Sequence, residues 1–180
     1  ISIAEAREVP LGRYVSINGL VNSVNFSSTG TFMSFEDSTA GIVFYYHYYD
    51  EMFANLEIGD EIHVTGQITE YGGVLEIVPH SSLDVSIIST GNTLPDPQVI
   101  TVYELNENGA NFESELIRLN GVSKIDVGAL WPEIGVNASI GITDNGIDQA
   151  TLLIDLDTQI DGTVEPPWPR DIIGVAGIGW

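Results

Sequence analysis

The sequence contains no cysteine, few basic residues and no long apolar run. Without cysteine it has neither a disulfide framework nor thiol chemistry. Five Lys and Arg residues stand against 26 Asp and Glu residues, which gives a formal net charge of -21 at pH 7. A chain this acidic repels polyanions, so the composition argues against nucleic acid as a partner. No apolar stretch approaches the roughly 18 residues of a membrane span, which predicts no membrane insertion.

The sequence also lacks the common catalytic motifs. His47, His63 and His80 are scattered and fit neither an H-x-x-x-H nor an H-E-x-x-H spacing. It contains no phosphate-binding glycine pattern and no G-x-S-x-G elbow. Neighbouring carboxylates are expected by chance in a chain with 26 of them. The sequence therefore predicts a protein that is not an enzyme and has no certain cofactor.

What the sequence does contain is a regular β pattern. Apolar and polar residues alternate over 32–36, turn formers fill 37–41, and β-rich sequence resumes over 42–46, which together predict a hairpin. A third β run over 60–68 carries a glycine, Gly66, in its interior. Such a glycine typically marks a bend where a strand turns the corner of a small barrel.

The pattern occurs twice. Val15–Val21 reappears as Ile117–Ser123, an offset of 102 residues (117 minus 15). The turn Phe35–Asp37 likewise matches Ile142–Asp144. Both copies open on the signature of a helix capping box, Ser2-x-x-Glu5 and Thr101-x-x-Glu104. A period near 100 residues has the size of a domain and favours two copies of one domain over a solenoid.

The copies predict a first domain over 1–90, a linker over 91–97 and a second domain over 98–180. Five strands with a short helix after the third, here over 48–56, describe an all-β OB-fold, the small Greek-key barrel. In the second copy only three residues follow Gly177, so that barrel ends within its fourth strand and lacks its fifth. The fold class predicted is two tandem OB-like five-stranded barrels, the second incomplete, with short helices.

Several strings in the first copy resemble a known family. Phe35–Asp37, Gly59–Asp60, Val64–Gly66 and Tyr71–Ile77 are similar to the OB-fold domains of secreted bacterial nucleases and of related uncharacterised surface proteins and lipoproteins. In such proteins these modules are accessory, and the nuclease active site lies in a separate domain. The resemblance implies an extracellular or cell-surface location and no catalytic activity for this chain.

A dense aromatic run gives the candidate ligand-binding residues, Tyr45, Tyr46, Tyr48 and Tyr49. Nucleic-acid-binding grooves combine stacking aromatic residues with basic residues, and the basic residues here are dispersed along the chain. Outward tyrosines without basic partners suit a saccharide ring or a protein neighbour better than a polyanion. The alternative is that the run simply alternates between barrel core and surface.

An acidic stretch raises the possibility of calcium binding. Asp155, Asp157 and Asp161 place carboxylates at alternating positions before Gly162, as in a loop that binds a hard cation. The stretch departs from the EF-hand pattern because Ile160 stands where glycine is needed. The alternative is a solvated acidic loop.

The missing fifth strand predicts an open slot with unpaired backbone groups, which favours self-association through strand edges. The candidate assembly residues are Ile1 and Ile3 at one end of the chain and Val175, Ile178 and Trp180 at the other. The capping box at Ser2 argues against strand donation by the first residues. The expected function is a non-catalytic, secreted structural or assembly component of a surface structure or filament. The alternative is an accessory module of a secreted nuclease that binds oligosaccharide or single-stranded nucleic acid.

Overall fold

The computed structural model describes residues 1–177, which form two compact units. The first unit contains Ile1–Asp96, the short segment Ala110–Leu116 and residues 175–177. The second contains Pro97–Gly109 and Ile117–Gly174. Each unit carries one copy of the sequence repeat, but two short stretches that follow the predicted linker pack with the first unit.

The first unit is composed of short helices and strands in the order expected for one copy. Its α-helices are short, and α1 begins in the predicted capping box, in which Ser2 and Glu5 bond each other's backbone N–H groups. A 3₁₀ turn, Ser82–Asp84, precedes the last strand. The elements are α1 (Ile3–Arg7), β1 (Tyr14–Val21), β2 (Thr31–Glu36), β3 (Gly41–Tyr46), α2 (Glu51–Ala54), β4 (Glu61–Tyr71), β5 (Val74–Val78) and β6 (Val85–Ser89).

Strand β1 closes the sheet of the first unit into a barrel. The strands lie in the order β1-β2-β3-β5-β4, and β1 also pairs with β4. β3 and β5 are parallel, whereas the other pairs are antiparallel. A five-stranded Greek-key barrel with its fifth strand between the third and fourth, and a helix after the third, is the predicted OB-fold.

Alternation along the strands places the core inside the barrel. Met33 and Phe35 on β2 point inward, and Phe44 does so on β3. Helix α2 covers one end of the barrel through Phe53, whose ring meets that of Phe44 edge-on with centroids 5.0 Å apart. Such a pair contributes about 1 kcal/mol beyond the burial of its apolar area.

Strand β4 changes partners near its middle, at Gly66. Residues up to Gln67 pair with β1, and residues from Gln67 onward pair with β5. A Cβ atom at Gly66 would lie 2.8 Å from the backbone of Val78, so no larger residue fits without displacing β5. The position therefore requires glycine, and the bend predicted there stays a prediction.

Beyond Pro79 the chain makes the 3₁₀ turn and then pairs with β4 as the separate strand β6. Two elements differ from the sequence prediction. Helix α2 begins at Glu51, later than the predicted residue 48, because Asp50 caps it at the Met52 N–H. In the second copy, the predicted helical turn is the longer helix α3 (Val102–Phe112).

The second unit repeats four of the five barrel strands. Its strands are β7 (Gln98–Ile100), β8 (Leu116–Lys124), β9 (Ala138–Thr143), β10 (Ala150–Ile154) and β11 (Arg170–Val175). They lie in the order β10-β9-β8-β11, with β7 parallel to β8. Within the described residues no strand lies between β10 and β11. Ile178 and Trp180 lie outside the described residues. Over residues 1–177, no helix combines the length and the apolar character needed to cross a membrane.

One contact demonstrates the repeat at atomic level. Asp37, in the turn after β2, accepts the N–H of Ile3 at 2.9 Å. Asp144, in the turn after β9, accepts the N–H of Val102 at 2.9 Å. In each unit the turn aspartate therefore holds the first residue of the helix that precedes the barrel.

Substitution of Asp37 by alanine tests the importance of this contact. Burial by itself raises the pKa of Asp37. Hydrogen bonds from Thr39 and from the Ile3 and Ala40 N–H groups together outweigh burial, so the pKa lies below its ordinary value. We expect Asp37→Ala to reduce the free energy of unfolding by about 2–3 kcal/mol, measured by urea denaturation at neutral pH. Asp96→Ala, at an exposed linker position, should change it by less than about 0.5 kcal/mol.

The pH dependence of that difference provides a second measurement. A carboxyl group whose pKa is lowered on folding stabilises the fold above its unfolded pKa, and this stabilisation is lost as the pH falls through the lowered value. The gap between wild type and Asp37→Ala should therefore shrink on acidification. A gap that stays constant with pH would contradict this role for the carboxylate.

Candidate functional site

Aromatic side chains cluster on the outward face of the first barrel, where β2 and β3 meet loop 22–30. Phe32 and Tyr45 occupy directly opposite positions on these two strands. The Tyr45 hydroxyl lies 3.2 Å from Nδ1 of His47, and the His47 ring meets Tyr48 edge-on with centroids 5.0 Å apart. Phe26 lies in the adjacent loop with its side chain 36% exposed, and its N–H bonds the carbonyl of Phe32. We call these five residues the aromatic surface.

Loop 22–30 is held in place by its own side chains. Asn25 Oδ1 accepts the N–H groups of Phe32 and Ser27, and Asn25 Nδ2 donates to the carbonyl of Gly30. Ser27 Oγ in turn accepts the N–H of Gly30 at 3.1 Å. The loop is therefore preorganised beside the strands, which reduces the entropy lost when a ligand binds there.

The four predicted ligand-binding tyrosines occupy different environments. Tyr46 points toward the core and packs against Phe53, with ring centroids 5.2 Å apart. Tyr45 is half-buried on the outward face, whereas Tyr48 and Tyr49 are 67% and 69% exposed. The run therefore divides between core and surface, as the alternative interpretation predicted. Tyr48 and Tyr49 are the two that are largely exposed.

The aromatic surface lacks a nearby cation among the described residues of the first unit. Arg7 is bonded to Glu113 at 3.0 Å, with the Glu113 side chain only 3% exposed. Arg13 precedes β1 at the end opposite loop 22–30, which is about 26 Å away for an eight-residue strand. The charged residues closest in sequence are acidic, Asp50 and Glu51 at the start of α2. A ligand would therefore be held by ring faces and hydroxyl groups rather than by ion pairs.

The predicted calcium ligands are not assembled for a metal. Asp155 accepts the N–H of Asp157, and Asp161 accepts the N–H of Gly135. Burial and the charges of Asp155 and Asp161 raise the pKa of Asp157. Over residues 1–177, no group of three or more His, Cys, Asp or Glu side chains is arranged to hold a metal ion. The carboxylates of Asp155 and Asp161 instead accept backbone N–H groups of the loops.

The predicted assembly residues lie in contrasting positions. Ile1 is exposed, but Ile3 is fully buried in the core of its own barrel. Donation of this end to a neighbour would require α1 to unfold and Ile3 to leave that core. Val175 is half-buried at the end of β11. The assembly role stays a prediction.

The second unit contains a shallow cavity of about 260 Å³ lined by Ser123, Lys124, Val127, Glu165, Trp168 and Pro169. Lys124 Nζ and Trp168 Nε1 both donate to Glu165, at 2.8 and 2.9 Å. These hydrogen bonds lower the pKa of Glu165. The charged groups of the cavity are thus paired with one another, and their geometry explains how loop 155–169 is fixed to β8.

Comparison with known proteins connects the chain to a nuclease. It is 35% identical over 125 residues to Endonuclease YhcR of Bacillus subtilis (strain 168), a match that covers 66% of this chain and 10% of that protein. The similarity confirms the predicted resemblance to OB-fold domains associated with nucleases. The chain spans about a tenth of the length of this relative. No family model matches the chain.

Three solved structures illustrate the partial similarity of this chain to known folds. A murine DNA binding protein bound with double-stranded DNA is 14% identical, with a TM-score of 0.42 over 52% of this chain and 48% of that chain. The S. pombe Stn1-Ten1 complex is 15% identical, with a TM-score of 0.36 over 42% and 58%. An aspartyl-tRNA synthetase from Entamoeba histolytica is 13% identical, with a TM-score of 0.43 over 54% and 22%.

The expectation that charge excludes nucleic acid as a partner is wrong, because the chain is similar over 125 residues to an endonuclease. That expectation rested on the formal charge of -21, which is a sum over the whole chain. The sum does not describe the local potential of any one face. It therefore cannot exclude a contact made mainly by stacking.

Two substitutions distinguish exposed from buried aromatic residues. We expect Tyr48→Ser to reduce the free energy of unfolding by less than about 1 kcal/mol, because the side chain is largely exposed. Phe53→Ala should reduce it by about 3–5 kcal/mol, because it leaves a cavity in the core. Both values follow from urea denaturation. Equal losses for the two variants would mean that Tyr48 is part of the core and not of an accessible surface.

Proposed function

We propose that this chain is a non-catalytic OB-fold module that binds single-stranded nucleic acid as an accessory part of a secreted nuclease. The observation that carries the proposal is the aromatic surface, which lies on the second and third strands of an OB barrel beside the loop that joins the first and second. This is the face on which OB-folds bind oligonucleotides and oligosaccharides. The similarity to an endonuclease over 125 residues supports the nuclease context.

The side chains of the aromatic surface favour contact with nucleobases over contact with phosphates. Exposed rings stack on nucleobases with about 1–3 kcal/mol per base, whatever the sequence. Two stacked bases would supply about 2–6 kcal/mol, which corresponds to dissociation constants from tens of micromolar upward. Weak binding of this kind suits an accessory module, because a tethered module raises the local concentration of substrate near the catalytic domain.

The net charge predicts an unusual dependence on salt. Ordinary nucleic-acid-binding proteins lose affinity as the salt concentration rises, because their Lys and Arg side chains release counterions from the phosphates. Here the aromatic surface has acidic neighbours, Asp50 and Glu51, and the chain as a whole repels a polyanion. Added salt screens this repulsion. Binding should therefore be unchanged or strengthened as the salt concentration rises.

Fluorescence anisotropy with a labelled single-stranded oligothymidine tests the proposal. We expect Tyr45→Ala and Tyr48→Ala each to weaken binding by about 5- to 100-fold, the equivalent of one lost stacking contact. Tyr103→Ala is the matched control, because Tyr103 is an exposed tyrosine on α3 of the second unit. Affinity should stay level or rise between about 50 and 300 mM salt.

The contrary outcomes are equally concrete. Affinity that collapses with added salt would locate the contact at basic residues away from the aromatic surface. Full affinity for an oligonucleotide that lacks bases would exclude stacking. Either result, or tight binding that survives both tyrosine substitutions, would overturn the proposal.

A saccharide is the second candidate ligand. The absence of a cation near the aromatic surface, among the described residues of the first unit, also suits an uncharged ring that packs on tyrosine. A neutral oligosaccharide that displaces the labelled oligonucleotide would place both ligands on one surface. Saccharide binding without any oligonucleotide binding would select the second candidate.

The assembly function expected from the sequence has less support. Among the described residues, β10 and β11 each keep one unpaired edge, which permits strand addition. The comparisons with known proteins give no indication of a filament. The accessory function is therefore preferred.

A further inference from the structure

His47 is the one member of the aromatic surface that can carry a positive charge. Its side chain is exposed, and its ring touches two of the tyrosines. Nδ1 lies 3.2 Å from the Tyr45 hydroxyl, and the ring meets that of Tyr48 edge-on with centroids 5.0 Å apart. A Cβ atom at Gly30 would lie 2.9 Å from the His47 carbonyl oxygen, so the end of loop 22–30 packs against this residue. The imidazole is therefore held beside the rings that the proposed function assigns to nucleobases.

The two ring nitrogens of His47 are in different situations. Nδ1 is engaged by the Tyr45 hydroxyl, whereas Nε2 has no hydrogen-bond partner within residues 1–177. A neutral imidazole has one donor and one acceptor nitrogen, and a protonated imidazole has two donors. In the protonated form Nδ1 donates to the Tyr45 oxygen. Nε2 is then a charged donor that is left for a ligand.

Protonation of His47 changes the charge of the surface. With its histidines neutral the chain carries a formal net charge of -21 at pH 7, and the charged residues that follow His47 most closely are Asp50 and Glu51. Loop 22–30 contains no ionisable side chain. Histidine is the side chain that ordinarily gains its charge between about pH 8 and pH 5. Mild acidification therefore creates a cation in contact with both Tyr45 and Tyr48.

We propose that His47 is the phosphate-binding residue of the aromatic surface and that it binds in its protonated form. This inference rests on the proposed function, because the nucleobases stacked on the tyrosines bring the phosphates to the imidazole. In a single strand every base is joined through its sugar to a phosphate, so a base on Tyr48 carries a phosphate toward the neighbouring ring. Acidification then adds an ion pair to the stacking contacts.

The proposed contact also separates the two candidate ligands. A phosphate is attracted by the imidazolium, whereas a neutral oligosaccharide has no charge to pair with it. An oligonucleotide should therefore gain affinity on acidification, and a neutral oligosaccharide should not. The phosphate contact would make the surface select nucleic acid over saccharide under mildly acidic conditions.

Three other ionisable residues lie near His47 along the chain or in the barrel. Asp50 accepts the Met52 N–H at the start of α2, and Glu51 lies in the first turn of that helix. Their negative charges oppose a phosphate, so the cation at residue 47 acts against this repulsion. His80 follows β5, which runs parallel to β3 and pairs with it at Phe44 and Ile77. His80 is therefore the alternative source of positive charge at this end of the barrel.

Fluorescence anisotropy with the labelled single-stranded oligothymidine, repeated at about pH 7.5 and about pH 5.5, tests the proposal. Affinity should rise about two- to fivefold at the lower pH, which is the contribution of one exposed ion pair. The slope of the logarithm of the binding constant against the logarithm of salt concentration should become more negative by about 0.7. That change is the value for one phosphate contact to a single strand. A purely structural effect of protonation would leave this slope unchanged.

Three substitutions assign the effect to one residue. His47→Gln keeps a polar side chain without the charge, so it should remove both the gain in affinity and the change in slope. His47→Lys is charged at both pH values and should show the affinity and slope of the acidic wild type at each. His63→Gln is the matched control, because the His63 ring bonds Asn18 on the β1–β4 pair, outside the aromatic surface. It should behave as the wild type.

Each contrary outcome has a distinct meaning. Equal affinity and slope at the two pH values in the wild type would overturn the proposal and leave the proposed function intact. A pH effect that survives in His47→Gln and disappears in His80→Gln would assign the contact to His80 and overturn it as well. An equal gain in affinity for a neutral oligosaccharide would exclude a phosphate contact. Absence of oligonucleotide binding at both pH values would overturn the proposed function and this inference together. Urea denaturation checks that the His47 variants stay folded, as expected for an exposed position.

Discussion

The antiparallel pairing of β1 with β4, from Tyr14–Gln67 to Leu20–Glu61, is the constraint on which the first barrel depends. It gives β1 partners on both sides and so joins the two end strands of the five-stranded barrel. Closure also fixes the register, and a slip of one residue would exchange the inner and outer faces of a strand. Hence the register that buries Met33 and Phe44 also turns Phe32 and Tyr45 outward. One alternation of side chains along each strand therefore produces both the core and the candidate surface.

The large surplus of acids is accommodated by backbone N–H groups more than by basic side chains. Glu5 and Glu104 bond the N–H groups at the starts of α1 and α3, while Asp37 and Asp144 bond the first residues of the same helices. Such bonds stabilise an ionised carboxylate without a counter-ion. Glu36 differs because only one of its two oxygens has a hydrogen-bond partner among the described residues.

The outward face of β2 and β3 is divided into two parts. At one end, Glu36 and Gly41 lie under the segment Ala110–Leu116. At the other end, Phe32 and Tyr45 belong to the aromatic surface, which loop 22–30 borders. The part of the face next to Glu36 and Gly41 is therefore covered by the chain itself.

Residue type alone determined the features that depend on short stretches of chain: the alternation in β2 and β3, the glycine inside β4, the paired capping boxes and the repeat itself. Only the tertiary structure decided that the segment Ala110–Leu116 packs on the first barrel. It also decided that Arg7 bonds Glu113, a residue 106 positions away. No local pattern specifies such a contact, because it arises from the folding of distant segments together. The total charge misled for the same reason: it counts residues, whereas an electrostatic field depends on where they lie.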